Sequence, residues 1–189
     1  MSNVSMLIVD YCEEWIADFK ALKETITCRF RDFDYSIEHI GSTAIPGMAA
    51  KPIIDIDVVY YADDDFRKIR EALIALNYYH NGDQGIPGRE VFKRNTGTSH
   101  PVLDEIKHHL YVCPGDSEEL KRHLIVRDYL RAHAEVREDY IQRKKEIARI
   151  VQQDRKAYAQ LKQTEMRSFF DGILKKHGNG KMEPIRSRG

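Results

Sequence analysis

The chain has 189 residues, of which 42% are hydrophobic, and its 30 Lys and Arg residues are balanced by 30 Asp and Glu residues. This length and composition suffice for one well-filled core. A protein that coats DNA or RNA usually carries a basic excess, so long nucleic acid is not an expected partner. The sequence has no secretory signal at its start and no apolar run of the ~20 residues that span a membrane, so it predicts a protein of the cytoplasm.

The cysteine pattern agrees with that location. Three widely spaced cysteines, Cys12, Cys28 and Cys113, form no C-x-x-C pair. A sparse, odd set is typical of free thiols in a reducing compartment. Since a structural zinc site needs closely spaced pairs of ligands, zinc is not expected.

The character of the sequence changes along the chain. Residues 1–115 mix short apolar runs with turn signals, whereas residues 116–177 are nearly free of Gly and Pro. This shift predicts an α/β (α+β) fold in one domain over residues 1–177, with an α/β part over 1–115 and a packed helical part over 116–177. Residues 178–189 are predicted to form a flexible tail.

The local patterns predict the following elements. Asp10 and Glu13 have the spacing of a capping box, and Asp116 with Glu119 repeats it before a later helix. β-Branched residues dominate the apolar run 53–60, which favours a central strand. In chain order we expect a helix over about 11–28, strands over 36–40 and 53–60, a helix from about 64, strands over 90–93 and 107–112, a helix over about 116–133, and one long helix from about 135 to beyond 161.

Two aspartates on the predicted central strand carry the first chemical signal. Because side chains alternate along a strand, Asp55 and Asp57 share one face and lie close together. Two such carboxylates repel each other unless a cation lies between them. Mg²⁺, or Mn²⁺, prefers hard oxygen ligands and leaves positions open for phosphate oxygens. We therefore predict that Asp55 and Asp57 are catalytic metal ligands.

A Gly-Ser turn precedes this strand by about a dozen residues. The small turn at Gly41 and Ser42 lets backbone N–H groups approach a phosphate, and the hydroxyls of Ser42 and Thr43 add donors. A lone Gly-Ser is commonly only a turn, and two alternating aspartates can face solvent at a sheet edge. The two elements together, on consecutive strands with an apolar opposite face on the second, favour a phosphate and metal site.

Other basic residues are weaker candidates. Lys51 stands just before the central strand and can reach a phosphate, although an exposed lysine is the commoner case. Arg89 and Lys93 indicate either a triphosphate clamp or a solvated strand edge. Arg127 with Asp128 is interpreted as a structural pair, residues 143–145 as the solvated face of a helix, and the tyrosines of the long helix as core.

The segment HIGSTAIPGMAAKPIIDIDV, residues 39–58, resembles the signature of the GrpB family, a branch of the nucleotidyltransferase superfamily. The resemblance continues through 107–112 and 126–131, extends to Tyr140 with Lys144 and to Tyr158 with Lys162, and covers roughly residues 8–175. It implies a mixed sheet of four to five strands flanked by helices. It also implies transfer of a nucleoside monophosphate from a nucleoside triphosphate to an acceptor, assisted by two metal ions.

The sequence departs from the superfamily at one position. The resemblance implies a third carboxylate on strand 107–112, but that strand carries His109 and Tyr111 on one face. His109 is either a metal or phosphate ligand or a buried, hydrogen-bonded histidine.

The leading hypothesis for the function is therefore Mg²⁺-dependent nucleotide binding and nucleotidyl transfer to an unknown acceptor. The alternatives are a non-catalytic module that binds a nucleotide or a coenzyme A precursor, and a protein-interaction domain.

Overall fold

Strands and helices alternate irregularly in the computed structural model, which describes residues 6–95, 97 and 99–177. The strands are β1 (Tyr35–Ile40), β2 (Ile54–Tyr60), β3 (Tyr78–His80), β4 (Glu90–Arg94) and β5 (His108–Pro114). The helices are α1 (Glu14–Thr27), α2 (Asp65–Ala75), α3 (Glu118–Ala132), α4 (Ala134–Ile150), α5 (Arg155–Glu165) and α6 (Arg167–His177). No helix in these ranges is both long and apolar enough to cross a membrane. The tail predicted at 178–189 lies outside the described residues.

The strands form one mixed sheet in the order β1-β2-β5-β4-β3. β2 and β5 run parallel at its centre, and the other neighbours are antiparallel. Ile54, Ile56, Val58 and Val59 of β2 are buried, and Asp55 and Asp57 interrupt the apolar residues on one face of the strand. The predicted mixed sheet of four to five strands is confirmed. In the β2–β5 register, Asp55 lies beside His109 and Asp57 beside Tyr111.

Helices cover both faces of this sheet. α1 and α2 pack on one face through Leu22, Ile26, Ile69 and Leu73, which are fully buried. α3 packs on the other face in a smaller apolar cluster. A further cluster joins α3–α6 to the segment 45–49, so the C-terminal helices lie against the end of the sheet that carries the Gly-Ser turn.

The predicted caps of two helices are wrong. α1 begins at Glu14, and no side chain caps it. Val9 pairs with Ala50 in a backbone bridge, which keeps the chain extended just before the predicted start at 11. Ser117, rather than Asp116, caps α3, because its Oγ accepts a hydrogen bond from the N–H of Leu120 at 3.4 Å.

The prediction of one long helix beyond residue 135 is also wrong. Gln152 and Gln153 adopt left-handed φ angles of 49° and 66° between α4 and α5. Asp154 then caps α5 by accepting a hydrogen bond from the N–H of Ala157 at 2.6 Å. No Gly or Pro marks the break in the sequence. The three-residue strand β3 was likewise not predicted.

Candidate functional site

The turn after β1 depends on one glycine. Gly41 has a φ of 72°, and a Cβ atom there would collide with the Asp55 carboxylate. Only glycine combines this conformation with so close an approach. The structure thus brings the predicted turn and one predicted aspartate into direct contact.

The two hydroxyls of the turn have different roles. Thr43 is buried, donates a hydrogen bond to the Ile53 carbonyl at 3.3 Å, and lies 3.0 Å from His39 Nε2. Its hydroxyl therefore holds the turn to the start of β2. The Ser42 hydroxyl instead faces the helices and accepts a hydrogen bond from Lys144 Nζ at 3.2 Å.

Two arginines of helix α3 hold the turn in place through hydrogen bonds. Arg131 donates to the Ala44 carbonyl at 2.7 Å. Arg127 donates to the Glu38 carboxylate at 2.8 Å and also pairs with Asp128. These bonds connect α3 to β1 before the turn and to Ala44 at the end of the turn.

Each of the two predicted aspartates is paired with a histidine. Asp55 Oδ1 lies 2.9 Å from His109 Nδ1, and the side chain of His109 is 54% exposed. The alternative that made His109 a buried histidine is therefore wrong. Asp57 Oδ2 lies 2.8 Å from His123 Nδ1, and the side chain of Asp57 is only 1% exposed.

Sequence reasoning missed His123. Burial lowers the pKa of His123, but its hydrogen bonds to Asp57 and Glu119 outweigh this and raise the pKa to about 9. A protonated His123 thus supplies a positive charge beside Asp57. The sequence had predicted that a bound cation is needed to offset the repulsion between the two aspartates. The spacing of Leu120, His123 and Leu124 places the histidine on the inner face of α3, and this signal was available in the sequence.

A cavity of about 850 Å³ lies between the sheet and the helices α3–α6. Asp57 is almost completely buried and does not line the cavity. The other predicted site residues line the cavity: Gly41, Ser42, Thr43, Lys51, Asp55, Arg89 and His109.

The helical side of the cavity carries a buried lysine. Lys144 is 1% exposed, and its ammonium group donates to Ser42 and to the Ala49 carbonyl. The group lies 4.5 Å from the centre of the Tyr140 ring. Burial, together with nearby Lys162, lowers the pKa of Lys144 to about 6. The interpretation of residues 143–145 as a solvated face is therefore wrong for Lys144.

Two further lysines stand near it. Lys51 lies 4.1 Å from the ring centre of Tyr158, and Lys162 lies 6.0 Å from that of Tyr140. In the part of the chain that the structure describes, none of these three lysines forms a salt bridge, and no carboxylate acts on the pKa of Lys51 or Lys144. Charge interactions with Tyr140, Tyr158 and Asp55 outweigh burial and raise the pKa of Lys162. We call Lys51, Lys144 and Lys162 the lysine cluster. An anion bound here would stabilise the protonated form of Lys144, so the cluster fits an anionic ligand.

The arrangement of the carboxylates is suited to a metal ion that is bound partly by the protein and partly by a ligand. Among residues 6–95, 97 and 99–177, no group of three or more His, Cys, Asp or Glu side chains is arranged around a common metal position. Asp57 Oδ1, however, is buried without a hydrogen-bond partner, and Asp55 Oδ2 lies against Gly41. Proteins often bind Mg²⁺ through only one or two carboxylates, with phosphate oxygens and water completing the shell.

The fold is shared with solved nucleotidyltransferases. Cid1, described as having RNA terminal uridylyl transferase activity, was solved in complex with its short product ApU. That structure aligns with a TM-score of 0.52 and 14% identity, covering 75% of this chain and 43% of that one. The protein is thus of the nucleotidyltransferase fold class.

More specific matches give the family. The profile described as "GrpB protein" matches residues 5–176. The crystal structure of the conserved protein GrpB from Enterococcus faecalis aligns with a TM-score of 0.74 and 25% identity, over 91% of this chain and 99% of that one. The glutamate-rich protein GrpB of Alkalihalophilus pseudofirmus is 32% identical, over 89% of this chain and 94% of that protein. The chain belongs to the GrpB family.

Relatives of this family differ in length. The UPF0157 protein YqkA of Bacillus subtilis is 35% identical over 75% of this chain, but the match spans only 39% of that relative. The matched part is therefore a unit that also occurs within longer proteins.

Proposed function

We propose that this protein binds a nucleoside triphosphate together with Mg²⁺ or Mn²⁺ and transfers the nucleoside monophosphate to an acceptor. The observation that carries the proposal is the lysine cluster, which faces Ser42 and Asp55 across one cavity without carboxylate partners. A buried cation is costly unless it is paired. The phosphates of a bound nucleotide would supply the missing negative charge.

Residues at different positions in the cavity have different roles in the proposed reaction. The turn at Gly41 and Ser42 offers backbone N–H groups and a hydroxyl to phosphate oxygens. The lysine cluster holds the β- and γ-phosphates, which leave as pyrophosphate. Asp55 and Asp57 would hold the metal ion, which when bound neutralises charge on the transferred phosphoryl group.

The cavity also supports two broader inferences. Its walls come from both sides of residue 115, which supports treating residues 1–177 as one domain. A substrate such as a nucleoside triphosphate, together with the sparse free cysteines, supports a location in the cytoplasm.

One observation favours a second candidate, a non-catalytic module that binds a nucleotide or a coenzyme A precursor. Tyr111 and His109 stand on β5 beside the aspartates, so no third carboxylate is supplied there. Asp57 already gives one oxygen to His123. A second metal ion would bind weakly at such a site.

Turnover separates the two candidates. The protein is incubated with each nucleoside triphosphate labelled at the γ-phosphate, with Mg²⁺ or with EDTA, and pyrophosphate release is followed. Metal-dependent release that disappears in Asp55→Asn supports transfer. Nucleotide binding that is unchanged by EDTA, without any release of pyrophosphate, supports the binding module.

A further inference from the structure

A second cavity, of about 480 Å³, lies beside β4 and β5. It meets the larger cavity at Arg89 and His109, which line both. Its volume falls in the range of roughly 300–1,000 Å³ that is usual for small-molecule sites. The two cavities therefore adjoin, and Asp55 lines the larger one beside the shared residue His109.

The second cavity carries unbalanced positive charge. Arg89, Lys93 and Lys107 line it, and none of them is within ion-pairing distance of a carboxylate in the described part of the chain. The one carboxylate in its lining, Asp104, is held by Arg94 through two hydrogen bonds of 2.8 and 2.9 Å. The remaining charge fits an anionic ligand.

Arg89 is already oriented for such a ligand. Its guanidinium lies 4.8 Å from the centre of the Tyr111 ring, and its Nε is buried without a partner. A planar guanidinium binds phosphate or carboxylate through paired hydrogen bonds. The tyrosine ring restricts the rotation of the guanidinium group, so less freedom is lost when an anion binds.

Arg89 and the turn that contacts the lysine cluster lie on opposite sides of the two central strands. The turn that contacts Lys144 follows β1, whereas Arg89 immediately precedes β4. β2 and β5 lie between those strands, and three strand spacings correspond to roughly 14 Å. In phosphoryl transfer the attacking and leaving oxygens lie roughly in line on opposite sides of phosphorus. If pyrophosphate leaves on the lysine side, the acceptor approaches from the side of Arg89.

We propose that the second cavity is the acceptor subsite, and that the acceptor is a small hydroxyl compound whose phosphate or carboxylate group is bound by Arg89. This inference rests on the proposed nucleotidyl transfer. In that step the acceptor oxygen bonds to the α-phosphorus and the bond from this phosphorus to the bridging oxygen breaks. Pyrophosphate leaves with the bonding electrons, and the hydroxyl proton passes to solvent.

The experiment titrates model anions into the full chain saturated with inorganic tripolyphosphate, which occupies the lysine cluster. Glycerol 3-phosphate and glycerate distinguish the phosphate from the carboxylate, and glycerol is the neutral control. We expect one anion of the two to bind at one site per chain, with glycerol inactive. Arg89→Gln should weaken that binding at least about tenfold, while Arg70→Gln, a matched exposed arginine, leaves it unchanged.

The outcomes separate the two proposals. Equal binding by Arg89→Gln and the natural protein, or no anion binding beside tripolyphosphate, overturns the acceptor subsite and leaves the proposed function standing. If tripolyphosphate does not bind while Arg89-dependent anion binding persists, the proposed function fails, and the acceptor role fails with it. Should Arg89→Gln not fold, Arg89→Lys replaces it, since that variant keeps the charge and loses the planar fork.

Discussion

The sheet side and the helical side of the large cavity differ in how their charges are balanced. On the sheet side, Asp55 and Asp57 each have a histidine partner, His109 and His123. On the helical side and its edge, the lysine cluster has aromatic rings and neutral oxygens as contacts and, among the described residues, no salt bridge to a carboxylate; Tyr140, Tyr158 and Asp55 only raise the pKa of Lys162. Each aspartate on the sheet side thus has a histidine partner, although Asp57 Oδ1 itself has none, whereas the lysine cluster has no salt bridge.

This difference assigns different roles to the two sides. The lysine cluster should contribute most of the affinity for an anion, because a bound anion would stabilise the protonated forms of these lysines. The aspartates should contribute the response to a metal ion, because Asp57 Oδ1 has no partner. Affinity and metal dependence should therefore respond to different substitutions.

The largest effect is expected at Lys144. Lys144→Met should weaken tripolyphosphate binding about 100-fold, because truncating one partner of a buried charged contact costs several kcal/mol. Isothermal titration measures this loss. Lys145→Met is the matched control, since Lys145 is the exposed neighbour that pairs with Asp10 on the surface. Equal losses in both variants would show that the effect is only general electrostatic attraction.

The next effect tests the contact between the turn and the sheet. Gly41→Ala should lower stability by about 1–3 kcal/mol and abolish most nucleotide binding, because a Cβ there meets the Asp55 carboxylate in a left-handed conformation. Gly82→Ala is the control, since Gly82 also has a positive φ, of 68°, but has open space around it. Denaturant unfolding and nucleotide titration should separate the two variants. Similar behaviour of both would mean that backbone strain alone matters.

A gain in Mg²⁺ affinity is expected from a substitution on the sheet side. His109→Asp places a third carboxylate beside Asp55, and hard oxygen ligands suit Mg²⁺ better than imidazole does. We expect Mg²⁺ affinity in the presence of nucleotide to rise about tenfold. The neutral variant His109→Asn should show no gain. Unchanged or weaker Mg²⁺ binding by His109→Asp would remove position 109 from the metal site.

The stability of the protein should also depend on pH through Lys144. The pKa of Lys144 is about 6 in the folded chain and 10.5 in its ordinary state. Between these values the unfolded chain binds the extra proton, so stability rises with pH by about 1.4 kcal/mol per unit. Lys144→Met should thus be more stable than the natural protein at pH 6.5, and this advantage should shrink by pH 8.5. Denaturant unfolding at both values measures it, and a constant difference would contradict the buried, unpaired lysine.

The sequence predicted the sheet side of the cavity better than the helical side, for a physical reason. Gly41 and Asp55 are close in sequence, and strand alternation alone decides which face a residue occupies. Lys144 lies between two other basic residues on a helix, a composition typical of a solvated surface. Only its spacing of four from Tyr140 and from Ala148, both buried, indicated an inward position.

The break between α4 and α5 was not predicted for a similar reason. Two glutamines adopt left-handed conformations there, although glutamine is a good helix former. Tertiary packing of the C-terminal helices overrides that local preference. Since this break separates the helix of Lys144 from the helix of Lys162, the lysine cluster could not be assembled from helical periodicity alone.

We infer that one bound nucleoside triphosphate contacts both the aspartates and the lysine cluster. A crystal structure with Mn²⁺ and a non-hydrolysable nucleoside triphosphate tests this directly. We expect anomalous density for Mn²⁺ within coordination distance of Asp55 and Asp57. We also expect β- and γ-phosphates within hydrogen-bonding distance of Ser42, Lys144 and Lys162. A nucleotide bound away from these residues, or bound at the lysines with no Mn²⁺ density beside the aspartates, would contradict this inference.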